Sequence, residues 1–353
     1  MIFYYIPITL LLLLLPFDFS FKKYRIFFIF LAAVITGTFA AFRGLGVDND
    51  SIAYYDIFNT ISKLNISELG EYSTNSIIEV GYVFINYSIA AIGGNYLALQ
   101  ILFAYATAGL FAYIAYKYSS YPFISILVYF SLFFLYRDFT QIRFGFSCLV
   151  SLLAIICYIN GNFFKAFLLY FFASSVHTSS ISILILIPIW HFRKEISIPV
   201  YVSLIIGSFF LSFMPLVDLT YKFIGLPDQL SRYLLDTSGG NLKLAIFSVS
   251  VSAILLYLKR FSDTKYVSLY GVLLLISGLF GIIFKDFGIL SRVQFLFATC
   301  MALAIPCAIK KFNSSLKLVF YFSFAFIFIV YYLNTVLLID FIRPYEIYYN
   351  PVN

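Results

Sequence analysis

The chain has 353 residues, 62% of them hydrophobic and 11% charged, with mean hydropathy +0.97 and a formal net charge of +7. A soluble domain carries about 25% charged residues, so this composition excludes one. The apolar residues also come in unbroken runs of about 15–22 rather than alternating over about ten, which excludes a membrane β-barrel and leaves a polytopic, all-α membrane protein.

Twelve spans are expected, near residues 2–17, 24–42, 95–116, 122–136, 140–159, 164–176, 179–191, 198–216, 242–258, 266–284, 289–309 and 316–339. The first run has no basic residue before it, and Lys22, Lys23 and Arg25 follow it, so it reads as an uncleaved span rather than a signal peptide. Between the second and third spans lies a long acidic loop, 43–78, opening RGLGVDND. Its glycines follow no strand, so it is not a nucleotide-phosphate loop. The stretch EVGYVFINYSIAAIGG (79–94) reads as a re-entrant or interfacial helix on the outer side.

RDFTQIRFGFS (137–147) then forms a tight connection carrying Arg137 and Arg143. Asp138 is placed to neutralise Arg137, while nothing local neutralises Arg143. An arginine inside a span costs ~2.5–3.5 kcal/mol at mid-depth and usually faces a cavity or an anion. The runs 164–176 and 179–191 are each short for a ~30 Å hydrocarbon layer. They are read as two helices broken at SSVHTSS, which carries His177. His191, among basic residues, reads as interfacial. In the second long loop, 217–241, Leu226, Leu230, Tyr233 and Leu234 fall at helical spacing, as in an amphipathic surface helix. Arg292 opens the span at 289–309. The four cysteines lie within apolar runs and read as small hydrophobes rather than metal ligands.

Basic residues in the short loops fix the orientation. With 21–25, Lys117, Lys165, 191–195, 259–265 and 310–317 on the cytoplasmic side, both termini face outward and all 353 residues form one membrane domain. This asymmetry accounts for the net charge without nucleic acid. The inner basic residues are mostly lysine, while the outer ones include six arginines: Arg43, Arg137, Arg143, Arg232, Arg292 and Arg343. Arginine suits a half-buried site that grips phosphate or carboxylate with a planar fork. Asp48, Asp50 and Glu79 flank the first outer loop and are candidates to orient a sugar hydroxyl or act as base. His177 is a candidate proton acceptor.

FRGLGVDND, YYDIF, EVGYVFIN, IRFGFSCLVSLLA, NGNFFK, SSVHTSS, LPDQLSRYL and LSRVQFLF, in that order, resemble the EpsG-like branch of the Wzy-type bacterial polysaccharide polymerases. One position departs: Phe144 stands where glutamine is expected after the span-embedded arginine. The resemblance implies a metal-independent glycosyltransferase without cofactor at the outer face of the bacterial inner membrane. It would transfer a growing glycan from undecaprenyl diphosphate to the non-reducing end of a new lipid-linked repeat unit, making O-antigen, capsule or exopolysaccharide. Membrane lipids, a chain-length regulator and a flippase would be its partners. On this reading Arg143 and Arg292 bind the diphosphate, and His177, Asp50 or another nearby acid activates the acceptor. Arg43, Asp48, Glu79, Arg137, Arg232, Tyr233 and Arg343 bind substrate.

Three other readings compete. A glycan ligase would share the outer arginines. A glycosyltransferase using a monophosphate-linked sugar often has a carboxylate-rich first outer loop with metal, as Asp48 and Asp50 would allow. A flippase would carry charges at several depths of a central cavity, whereas here they cluster at span ends.

Overall fold

The computed structural model describes residues 2–20, 22–193, 196–215, 241–259, 265–288, 290–338 and 342–348. Among them every expected apolar run is helical. The regular α-helices begin with α1 (Tyr5–Leu14), α2 (Arg25–Ala41), α3 (Ser51–Ile61), α4 (Leu69–Ser76) and α5 (Val80–Ala91). They continue with α6 (Tyr96–Tyr118), α7 (Pro122–Tyr129), α8 (Ile142–Ile159), α9 (Phe163–Val176), α10 (Leu186–His191) and α11 (Ile198–Leu211). The last are α12 (Leu242–Lys259), α13 (Lys265–Ile283), α14 (Ser291–Ala298), α15 (Met301–Ile309) and α16 (Ser314–Leu338). No strand occurs among the described residues, only two isolated bridges.

Six helical stretches are long and apolar enough to cross a membrane: Tyr96–Tyr118, Ile142–Ile159, Leu242–Lys259, Lys265–Ile283, Ser291–Ile309 and Leu316–Leu338. The protein is therefore an all-helical, polytopic membrane protein. Of the remaining expected spans, five are shorter apolar helices, and 122–136 is an eight-residue α-helix running into a π-helix. The helices divide into two compact units, residues 1–180 with 312–353, and residues 181–311.

In the first unit a buried carboxylate organises one end. Asp18 accepts the Phe123 and Ile124 N–H groups, at 3.1 and 3.0 Å, and so caps α7, while the Tyr321 hydroxyl of α16 donates to it at 2.7 Å. These donors compensate a carboxylate that is only 5% exposed. Beyond α7 the helix widens into a π-helix, Phe130–Asp138, before the chain turns into α8. Gly145 permits that turn: a Cβ there would lie 2.5 Å from Asp138 Oδ1. At the opposite end of α16, the Tyr332 hydroxyl donates to the Tyr4 carbonyl, and the Tyr4 hydroxyl donates to the Arg343 carbonyl.

The second unit is built by close approach of small residues. A Cβ on Gly278 would meet Val249, and one on Gly281 would meet Ala245 and the Gln294 amide. Ser252 donates to the Gly271 carbonyl at 2.7 Å and Ser277 to the Gln294 carbonyl at 3.0 Å. Such short-range packing with hydroxyl bonds suits helices that have no hydrophobic drive to associate in lipid.

Candidate functional site

The acidic loop 43–78 folds into α3 and α4, joined by a capping box in which Asn65 and Glu68 satisfy each other's backbone. Helix α4 ends at Ile77, which has φ +55°, a left-handed conformation that a β-branched residue rarely adopts. The Ser73 hydroxyl pins the following turn by donating to the Ile78 carbonyl at 2.6 Å. Glu79 is thereby presented at the start of α5. Gly81, the second residue of α5, lets that helix lie against the end of α9: a Cβ would sit 2.7 Å from the Ser175 carbonyl oxygen. Helix α9 stops at Val176 because His177 turns extended, and a 3-10 helix begins at Thr178. The expected break in SSVHTSS is therefore real.

These elements converge on Arg143, at the second position of α8. Its Nη1 donates to Glu79 Oε2 at 2.7 Å. The other carboxylate oxygen accepts the Thr178 N–H at 2.9 Å and the Thr178 hydroxyl at 3.1 Å. The guanidinium lies over the ring of Tyr82 at 4.9 Å and that of Tyr54 at 5.6 Å. Burial works against ionisation of Glu79, but the Arg143 charge, then His177 and the Thr178 N–H, outweigh it and hold its carboxyl below the usual range. Arg143 and Glu79 side chains keep 19% and 11% of their exposure, so the pair remains open to a ligand.

His177 packs its ring 5.1 Å from that of Phe144. Phe144, standing where glutamine is expected, thus supports the histidine. His177 Nδ1 accepts the Ser179 N–H at 3.2 Å, which places the proton of a neutral ring on Nε2.

The other expected site residues separate by environment. Arg43 is fully buried. Its Nε donates to Asp48 Oδ2 at 2.7 Å, its Nη1 to the Ala40 carbonyl at 2.7 Å, and its guanidinium covers the Phe139 ring. Asp48 spends its second oxygen on the Asp50 and Ser51 N–H groups, capping α3. The Gln100 amide bonds the Ala41 and Arg43 carbonyls, and the chain end pairs alongside through Gly44 N–H to Glu346 O and Arg343 N–H to Val47 O. Contrary to expectation, neither Arg43 nor Asp48 reaches the surface, and RGLGVDND is a folded clasp. Asp50 is half-buried at the start of α3, and Arg343 is exposed.

Arg137, expected at the membrane boundary, is also fully buried, with its guanidinium 4.1 Å from the Phe133 ring centroid. Asp138 accepts the Tyr129 hydroxyl at 2.9 Å. Arg292 belongs to the second unit, where it is half-buried in the first turn of α14. Arg232 and Tyr233, with the expected helix in 217–241, lie outside the described residues.

Sequence reading missed Tyr54, Tyr82 and Thr178. Tyrosine is so frequent (30 residues) that no single one stands out. Thr178 acts partly through its backbone, which leaves no compositional trace.

The model of the EpsG family matches residues 2–347. The chain belongs to the EpsG family. No curated protein and no solved structure matches it. The match spans both compact units and every residue around Arg143. EpsG membership, together with the apolar helices, identifies a membrane protein of the polysaccharide-polymerase type.

Proposed function

We propose that this EpsG-family protein polymerises lipid-linked oligosaccharide repeat units at the outer face of the bacterial inner membrane. The growing glycan leaves undecaprenyl diphosphate and joins the non-reducing end of a new lipid-linked repeat unit. In the step, the anomeric carbon–phosphate oxygen bond breaks and a bond to the acceptor hydroxyl oxygen forms. The hydroxyl proton passes to a base, and the electron pair leaves on the diphosphate. The observation that carries this reading is Arg143, half-buried but still partly accessible and next to the histidine-bearing turn. A fixed guanidinium placed where negative charge develops favours departure of the diphosphate.

His177 is the proton-transfer group on this reading, since Glu79 and Asp48 have both oxygens engaged. Its contact with Ser179 is long, and exchanging it frees Nδ1 for the acceptor hydroxyl. Asp50 is the alternative base. Arg292 is retained as a second diphosphate-binding cation on sequence grounds, to be tested by its own variant. The site uses neither a metal nor a nucleotide sugar, and a chain-length regulator and flippase are its expected partners.

The deciding experiment compares glycan length in a host lacking the gene, with and without restoration. Loss of the long-chain ladder, with single repeat units still reaching the surface, supports the polymerase. An unchanged chain-length distribution, with glycan stranded on its lipid carrier, favours a ligase instead.

A further inference from the structure

Glu79 fills only part of what Arg143 offers. One carboxylate oxygen takes Nη1, and the other is committed to Thr178. Two donors beside this contact are unused. Arg143 Nε and the Tyr82 hydroxyl are both buried with no partner within bonding geometry, and the Asn86 side chain is Tyr82's polar neighbour. Tyr82 is fully buried, with its ring under the guanidinium. Leaving buried donors unmade is costly, so two of them on side chains packed against one another favour an acceptor that reaches the guanidinium. A planar carboxylate tied at its far oxygen reaches one edge of the guanidinium fork. A phosphate group has the extra oxygens to take a second edge and the tyrosine hydroxyl together.

We propose that Glu79 is an internal competitor for Arg143 that sets the affinity an anion needs in order to bind: a ligand must displace it, so a lipid diphosphate occupies the site at concentrations where a singly charged phosphodiester does not. The inference rests on the reading of Arg143 as the diphosphate-binding residue. On displacement the released carboxylate keeps both Thr178 donors and stays beside His177. The apparent affinity of every ligand is then reduced by the same factor, the fraction of time Arg143 is unpaired, so only a tightly binding anion still occupies the site at low concentration.

The test measures binding of an isoprenyl diphosphate and of the matching isoprenyl phosphodiester to the full chain in detergent. Wild type is expected to prefer the diphosphate. In Glu79→Gln both ligands should bind about tenfold more tightly, with their ratio little changed. Thr178→Val, at an exposed position and removing one anchor of Glu79, should tighten both in the same way by less. Tyr82→Phe should weaken diphosphate binding while leaving thermal unfolding unchanged or improved, since the lost hydroxyl had no partner. Diphosphate binding that survives Arg143→Gln would remove the functional reading itself. Loss in Arg143→Gln, with Glu79→Gln retaining the wild-type affinities for both ligands, would leave that reading standing and overturn the competitor.

Discussion

At the residue scale, the two ion pairs among the described residues that involve expected site arginines have opposite characters. Arg43–Asp48 is sealed from solvent and closes a loop; Arg143–Glu79 is open. Arg143→Ala should therefore lower polymerisation by about 10²–10³-fold, the loss typical of one transition-state donor. Arg143→Lys should recover only part of it, because an ammonium keeps the charge but not the fork. Single-turnover assays on defined lipid-linked repeats would separate the two variants. The pH dependence follows from Glu79. Its folded-state pKa is depressed below the ordinary 4.5, so the stability it contributes is complete above that value and is lost as pH falls through the folded pKa. The Arg143–Glu79 pair should accordingly survive unchanged from pH 8 to about 5. Replacing Glu79 with Gln should flatten the unfolding profile only below about pH 4.5, which thermal scans across an acid series would read out.

At the element scale, the site depends on two backbone features that hold Glu79 opposite Arg143. Ile77 occupies the left-handed region at 56% exposure, so its side chain gains little from burial to offset the strain. Relieving it with Ile77→Gly should raise stability by about 1 kcal/mol, less whatever freedom glycine gives the unfolded chain. The same change should loosen the turn and lower activity, a stability–activity trade visible when melting temperature and turnover are measured together. Gly81 works in the opposite sense. Gly81→Ala forces α5 away from the Ser175 carbonyl, a backbone atom that cannot swing aside. That shift should lengthen the Glu79–Thr178 contact and cost about 1–3 kcal/mol, as overpacking does. Gly70, with open space around it, is the control: Gly70→Ala should be neutral or slightly stabilising.

At the scale of the whole molecule, the all-helical membrane class was legible because the apolar stretches are continuous, and a membrane span must satisfy its backbone internally as helix; six of the expected spans are long and apolar enough to cross among the described residues. Arg143 and His177 were legible as polar residues at span ends. What joined them was not. Glu79 lies 64 residues from Arg143 and 99 from Thr178, and no periodicity links such distant positions. Nor could composition tell the buried clasp arginine Arg43 from the more accessible Arg143, since each lies at the end of an apolar run with a glycine within the next two residues. The loop charges lead to one prediction about the entire chain. Twelve crossings, with α5 not among them, put both termini on one side and assign Lys117 and Lys165 to the face opposite Glu79. Single cysteines at Ser119 and Gly161 should be labelled by membrane-impermeant maleimide only after permeabilisation, whereas one at Asn75 should be labelled in intact cells. Helix α5 decides the parity: if it crossed, labelling on the two sides of residues 79–94 would invert. Cysteines at Asn75 and Gly94 therefore form the sharpest pair, expected to label alike in intact cells. Opposite labelling would give an odd number of crossings and move one terminus to the cytoplasm.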